Sequence, residues 1–274
     1  MGKVLIKSIG KSINAAGILS PKYAAKLAVK LFSTPQEGKL SRQAANYLET
    51  ASQKDIPQND FLIKTYHWKG NKENVLLVHG WESNTYRWKD LIEVLKALHF
   101  NIFALDAPAH GASGSKTFNA ILYSESINQL VKTFSIDYVI GHSIGGSASA
   151  FAIHTYKLPV KKMVMLGSPS NYINIVGEYK AIMGYSTAVK KAIDQYFTDV
   201  FGQPLAFYSI ENFSEEIKAR TLVVHDKQDK IIPFRDALEI DDSIANTKFV
   251  ETKGLGHGLR SDTVYSVITS FLNT

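Results

Sequence analysis

The chain has 274 residues, of which 45% are hydrophobic and 20% charged, and it contains no cysteine. Such a length and balance describe a folded globular protein with room for one large domain and an insertion. The lack of cysteine excludes disulfides, thiolate metal sites and a cysteine nucleophile. The formal charge is +6, and Lys3, Lys7, Lys11, Lys22, Lys26 and Lys30, with no Asp or Glu in residues 1–36, account for all of it. The rest is near neutral, which argues against a nucleic-acid partner. No apolar run approaches the roughly 20 residues of a membrane-spanning helix. The lysines also interrupt the apolar residues where a signal peptide would have a clean core, so a cytoplasmic location is expected.

Residues 1–58 are predicted to form an N-terminal helical extension. Lysines recur every four residues in two clusters, Ala24, Ala25, Leu27, Ala28, Leu31 and Phe32 supply an apolar face, and Ser20-Pro21 marks a helix start. The apolar face is expected to pack on the main domain. Contact of the basic helices with an anionic membrane surface is the alternative.

Residues 59–274 form the predicted main domain. Short apolar runs at Phe61–Trp68, Val75–Val78, Ile102–Asp106, Tyr138–Gly141, Met163–Leu166, Leu222–His225 and Phe249–Glu251 read as strands. Helical spacing falls between them at Trp88–Leu98, Phe118–Phe134, Ser143–Tyr156, Phe234–Asp242 and Thr263–Leu272. Alternation of this kind predicts an α/β fold with a mostly parallel sheet covered on both faces. It breaks at about 169–218, where aromatics from Tyr172 to Phe213 sit in helix-like segments. An insertion capping the carboxyl edge of the sheet would account for them, because ligands bind at that edge in open α/β sheets.

The segment most telling about chemistry is Asp137-Tyr-Val-Ile-Gly-His-Ser143-Ile-Gly-Gly146. Gly141 and Gly145 complete a G-x-S-x-G pattern between a strand and a helix, where glycines permit a sharp turn and close packing that leave the serine exposed. A serine hydroxyl needs a base to remove its proton, and the base needs an acid to fix its tautomer. Downstream, Thr221-Leu-Val-Val-His-Asp-Lys-Gln-Asp229 ends a strand in carboxylates, and His257 lies between Gly256 and Gly258 after the last strand. Both fall at the same sheet edge as Ser143. Asp226, Asp106 and Asp241 compete with Asp229 for the role of acid.

With His79-Gly80-Trp81 and Asp106-Ala-Pro-Ala-His-Gly-Ala-Ser113, these motifs closely resemble the α/β-hydrolase superfamily over residues 61–274. The resemblance implies Ser143 as nucleophile, Asp229 as acid and His257 as general base. It also implies an oxyanion hole from the backbone N–H groups of Trp81 and Ile144, the latter at a helix start. Asp226 stands where the family often has glycine and stays open as the alternative acid. Trp81 and His142 flank the site and are expected to border the substrate, and the resemblance also implies that His79 and His142 mostly support loops by hydrogen bonding.

No metal-ligand spacing, phosphate-binding loop or dinucleotide fingerprint is present, so neither metal nor cofactor is expected. The implied function is hydrolysis of an ester of a small, largely apolar molecule through an acyl-enzyme, in the manner of a carboxylesterase or lipase. The alternatives are a thioesterase, an amidase or a carbon–carbon bond hydrolase with the same three residues, or a non-catalytic ligand sensor on the same fold. Serine at the turn speaks against the dehalogenase and epoxide-hydrolase branches, which use aspartate there.

Overall fold

The structure, a computed structural model, describes residues 3–274. Its strands are β1 (Ser52–Gln58), β2 (Phe61–Trp68), β3 (Asn74–Val78), β4 (Asn101–Leu105), β5 (Tyr138–His142), β6 (Lys162–Leu166), β7 (Arg220–Asp226) and β8 (Thr247–Thr252). They form one sheet in the order β1-β2-β4-β3-β5-β6-β7-β8. β1/β2 and β2/β4 are antiparallel, and every later pair is parallel.

The helices around the sheet are α1 (Lys3–Leu19), α2 (Pro21–Phe32), α3 (Arg42–Leu48), α4 (Lys89–Ala97), α5 (Ala120–Phe134) and α6 (Ile144–Tyr156). They continue with α7 (Tyr172–Ile182), α8 (Thr187–Phe201), the single turn α9 (Ile210–Phe213), α10 (Phe234–Ser243) and α11 (Asp262–Asn273).

The central strands read as unbroken apolar runs because both their faces are covered. Alternate residues of each strand point to opposite faces. Leu76, Val78, Val139, Met163, Met165 and Val223 therefore join one core with residues of α5, α6 and α10. Val75, Leu77, Ile140, Val164, Leu222 and Val224 join the other with residues of α4 and α11. Each fully buried aliphatic side chain contributes about 1.5–3 kcal/mol, so these two cores hold the frame that positions the site. α6 is buried on nearly every side, and its inner positions are Gly145, Gly146, Ser147, Ala148, Ser149 and Ala150. Such small residues let it lie close against β5.

One expectation needs correction. Residues 52–58, predicted to lie within a helical extension, form β1, which pairs from Ser52↔His67 to Gln58↔Phe61 across a tight turn at Asn59, φ +50°. Only two of its seven residues are buried, so it lacks an apolar signal. Its Pro57 suits an edge strand, which need not donate on its outer side.

The apolar face of α1 and α2 packs on the main domain, where it meets chiefly α7 and α8. Ala24, Ala25, Ala28 and Val29 form a third core with Val176, Met183, Val189 and Ile193. The fit is close: a Cβ on Gly10 would stand 1.8 Å from the Met183 carbonyl oxygen. Asn14 Nδ2 donates to Gly184 O at 2.9 Å, Ser186 N donates to Asn14 Oδ1 at 2.8 Å, and Tyr179 donates its hydroxyl to Ala28 O at 2.8 Å. Among the described residues no helix is long and apolar enough to cross a membrane.

Candidate active site

β5 ends at His142, α6 begins at Ile144, and Ser143 forms the whole connection. Its backbone is held at φ +54°, ψ −131°, a conformation that costs a non-glycine residue about 1–3 kcal/mol and persists only when its surroundings over-determine it. The surroundings explain it. Ser143 N donates to Leu166 O at 2.8 Å and Gly146 N to Ser143 O at 3.0 Å, fixing the turn from both sides. A Cβ on Gly141 would lie 2.4 Å from Gly146 Cα, and one on Gly145 would lie 2.3 Å from Val78 O. Both glycines of the motif are thus required by close backbone approach.

The loops after β7 and β8 bring Asp229 to His257: Asp229 Oδ2 accepts from His257 Nδ1 at 2.7 Å. Asp229 Oδ1 accepts from the N–H groups of Ile231 and Ile232 at 2.8 and 3.0 Å. Burial works to raise the pKa of this carboxyl, but the bonds from His257, Ile232 and Ile231 outweigh it and hold it below its ordinary value. With Nδ1 donating to a carboxylate, the other imidazole nitrogen is left with a free lone pair, as a base requires. Among the described residues no hydrogen bond joins Ser143 Oγ to His257; such contacts commonly tighten only with substrate bound.

Asp226 has a different task. It accepts from Thr252 Oγ1 at 2.8 Å and from the N–H groups of Leu255 and Gln228, each at 2.9 Å, so it shapes the loop that carries His257. Asp106 is buried and accepts from Thr85 N, Ala112 N and Tyr66 Oη. Asp241 is engaged by Thr247. Of the competing carboxylates, only Asp229 reaches His257.

The neighbouring histidines are structural ties. His79 Nε2 accepts from Ala107 N at 2.9 Å, so its Nδ1 carries the proton shared with Gly80 O; burial keeps this ring neutral by lowering its pKa well below the usual value. His110 Nε2 accepts from Glu82 N at 3.0 Å in the same way. His142, expected beside the substrate, is buried instead, donates Nε2–H to the His257 carbonyl at 2.8 Å, and does not line the cavity. Burial depresses its pKa too. Its task is to hold the His257 loop. Arg87 was not foreseen: buried, it stacks on Trp88 and donates to Gly258 O at 3.0 Å from the other side of that loop.

A cavity of about 550 Å³ opens over Ser143 and Ile144. Trp81 lines it, as expected, and packs edge-on against Phe118 and His110. The N–H groups of Trp81 and Ile144 meet no protein acceptor among the described residues, and Ile144 is the first residue of α6, where backbone donors are unpaired by the geometry of a helix start. Much of the remaining wall comes from α7, α8, the start of α5 and, unforeseen in the sequence, from α2.

A family model described as the alpha/beta hydrolase fold matches residues 73–184. That match covers less than half of the chain and, together with the sheet order and the loops above, shows an α/β-hydrolase fold. A pimeloyl-acyl-carrier-protein methyl ester esterase of Vibrio vulnificus is 30% identical over 107 residues, which span 38% of this chain and 41% of that enzyme. A 2-hydroxy-6-oxo-6-(2'-aminophenyl)hexa-2,4-dienoic acid hydrolase of Metapseudomonas resinovorans is 22% identical over 223 residues, spanning 64% of this chain and 75% of that enzyme. Among solved structures, a membrane phospholipase A described as a bacterial virulence factor superposes with a TM-score of 0.65 at 15% identity, over 94% of each chain. That likeness is one of fold.

Proposed function

We propose that this protein is a serine hydrolase that cleaves an ester of a largely apolar acyl group, with Ser143 as nucleophile, His257 as general base and Asp229 as the acid that orients it. The observation that carries this reading is the positive-φ backbone of Ser143 between two obligatory glycines, at the same sheet edge as a histidine hydrogen-bonded to a carboxylate at 2.7 Å. The esterase and hydrolase names of the relatives agree with it.

In this mechanism Ser143 Oγ attacks the ester carbon while its proton passes to His257 Nε2. The developing oxyanion is met by the N–H groups of Trp81 and Ile144, each such donor being worth about 3–4 kcal/mol. His257 returns the proton to the departing alcohol, then activates water to release the acid from the acyl-enzyme. Asp229 stays ionised throughout and stabilises the imidazolium. The helices α7 and α8 serve as a cap over the cavity, and its predominantly apolar lining suits an acyl or aryl body.

Labelling with a fluorophosphonate tests the nucleophile: covalent modification is expected in the native chain and absent in Ser143→Ala. A native chain left unlabelled under conditions that modify other serine esterases would refute the assignment.

A further inference from the structure

The cavity above Ser143 is mostly apolar, with Phe118, Tyr172, Ile175, Val176 and Phe197 among its walls, yet Lys26 and Lys30 also line it. They stand one helical turn apart on α2, so both point from the same face. Both are exposed, and neither forms an ion pair among the described residues. Glu178 is the one carboxylate of the lining among the described residues; it too is exposed and lies in no ion pair with either lysine. The cavity thus carries two ammonium groups against one carboxylate.

Their placement is fixed by packing. Ala24, Ala25 and Ala28, fully buried, seat α2 against α8, and Tyr179 holds the Ala28 carbonyl. Phe32 packs on Tyr179 in a tilted arrangement with ring centroids 4.6 Å apart. The segment after α2 is tied down as well, with Phe118 N donating to Ser33 O at 2.7 Å. α2 is therefore a fixed wall of the cavity. A wholly apolar substrate gives these lysines nothing to bind, whereas an anionic group at the far end of an apolar body would complete them.

We infer that α2 is part of the substrate site and that Lys26 and Lys30 bind a carboxylate or phosphate carried by an otherwise apolar substrate. This rests on the reading of Ser143 as the nucleophile for its catalytic half, while the anion site stands on the cavity itself.

Hydrolysis of p-nitrophenyl octanoate and p-nitrophenyl hydrogen suberate, which differ by a terminal carboxylate, is compared in the native chain, Lys26→Gln/Lys30→Gln and Lys26→Arg/Lys30→Arg. The native chain is expected to favour the anionic ester by about tenfold in kcat/KM, mainly through KM, and less so in high salt. The glutamine pair loses that preference, with kcat/KM on the anionic ester falling by about tenfold relative to the neutral one. The arginine pair keeps it. Equal kcat/KM for the two esters in the native chain, or an equal loss on both in the glutamine pair, overturns the inference.

Binding is read separately from the fluorescence of Trp81, the cavity-lining tryptophan, on titration with dodecanoate, dodecyl phosphate and dodecanol. At least one anion is expected to bind more tightly than the alcohol, and which of them does so identifies the group. The advantage should vanish in the glutamine pair. Charge-selective binding without hydrolysis of either ester keeps the anion site and refutes the hydrolase reading; hydrolysis without charge selectivity does the reverse.

Discussion

The sheet with its two cores and the helical layer made of α1, α2, α7 and α8 are stabilised by the same force but specified in different ways. In the sheet, each strand pairs with another whose apolar pattern is visible, and the site residues stand at strand ends. In the helical layer, α2 and α8 meet across more than 150 residues of sequence, and nothing local in either names the other. The sheet edge holds the proposed chemistry under backbone strain, whereas the layer above it encloses the cavity with unstrained, interlocking helices.

Removing the proposed base separates the two regions most sharply. His257→Ala is expected to lower kcat/KM on p-nitrophenyl esters by on the order of 10⁵-fold with little change in Tm, since members of one catalytic unit fail together. Asp229→Asn should follow with about a 10⁴-fold loss through the wrong imidazole tautomer. If Asp226→Asn proves the more damaging change, its loop-shaping assignment is wrong and the acid must be reassigned.

Two glycine substitutions then compare the regions by packing. In Gly145→Ala the added Cβ would lie 2.3 Å from Val78 O, inside the frame itself, so Tm is expected to drop by roughly 6–10 °C and fluorophosphonate labelling to be lost. In Gly10→Ala the clash is with the Met183 carbonyl, which α1 can relieve by lifting away. The expected result is faster proteolysis within residues 1–36 and a Tm within about 3 °C of native. Equal thermal losses in the two variants would mean the helical layer and the sheet unfold as one unit.

The smallest effect concerns acid. Asp229 has a folded-state pKa below its ordinary value, so the stability it lends is complete above the unfolded-state value of about 4 and is lost as pH falls through the depressed folded value. The Tm difference between the native chain and Asp229→Asn should therefore shrink as pH falls from about 5 into stronger acid. A difference that stays unchanged in stronger acid would contradict an ionised Asp229 carboxylate.

Much of the sheet was legible because burial on both faces writes long apolar runs, and the strands from Val75 to Glu251 emerge within one or two residues of their predicted bounds. The proposed site residues Ser143, Asp229 and His257 stand out in the sequence because tight turns and glycine-flanked histidines have few structural uses. β1 was hidden by its polar, half-exposed edge. For His142 the sequence left both a place beside the substrate and a loop-supporting role open, because it shows adjacency to Ser143 but not the direction in which the ring turns, here toward the His257 carbonyl. The contribution of α2 to the cavity could not be read at all. Lysines four apart mark a helix face without saying what that face looks toward.

The bond between Asn14 and Gly184 spans 170 positions, and this has a bearing on how the protein is born. At ribosomal rates of roughly 5–20 residues per second, the amphipathic pair α1 and α2 is synthesised about 8–34 s before its partners. During that interval the alanine-rich stripe that will meet α8 is bare, and the lysines beside it are the part of the nascent chain that keeps it apart from its neighbours.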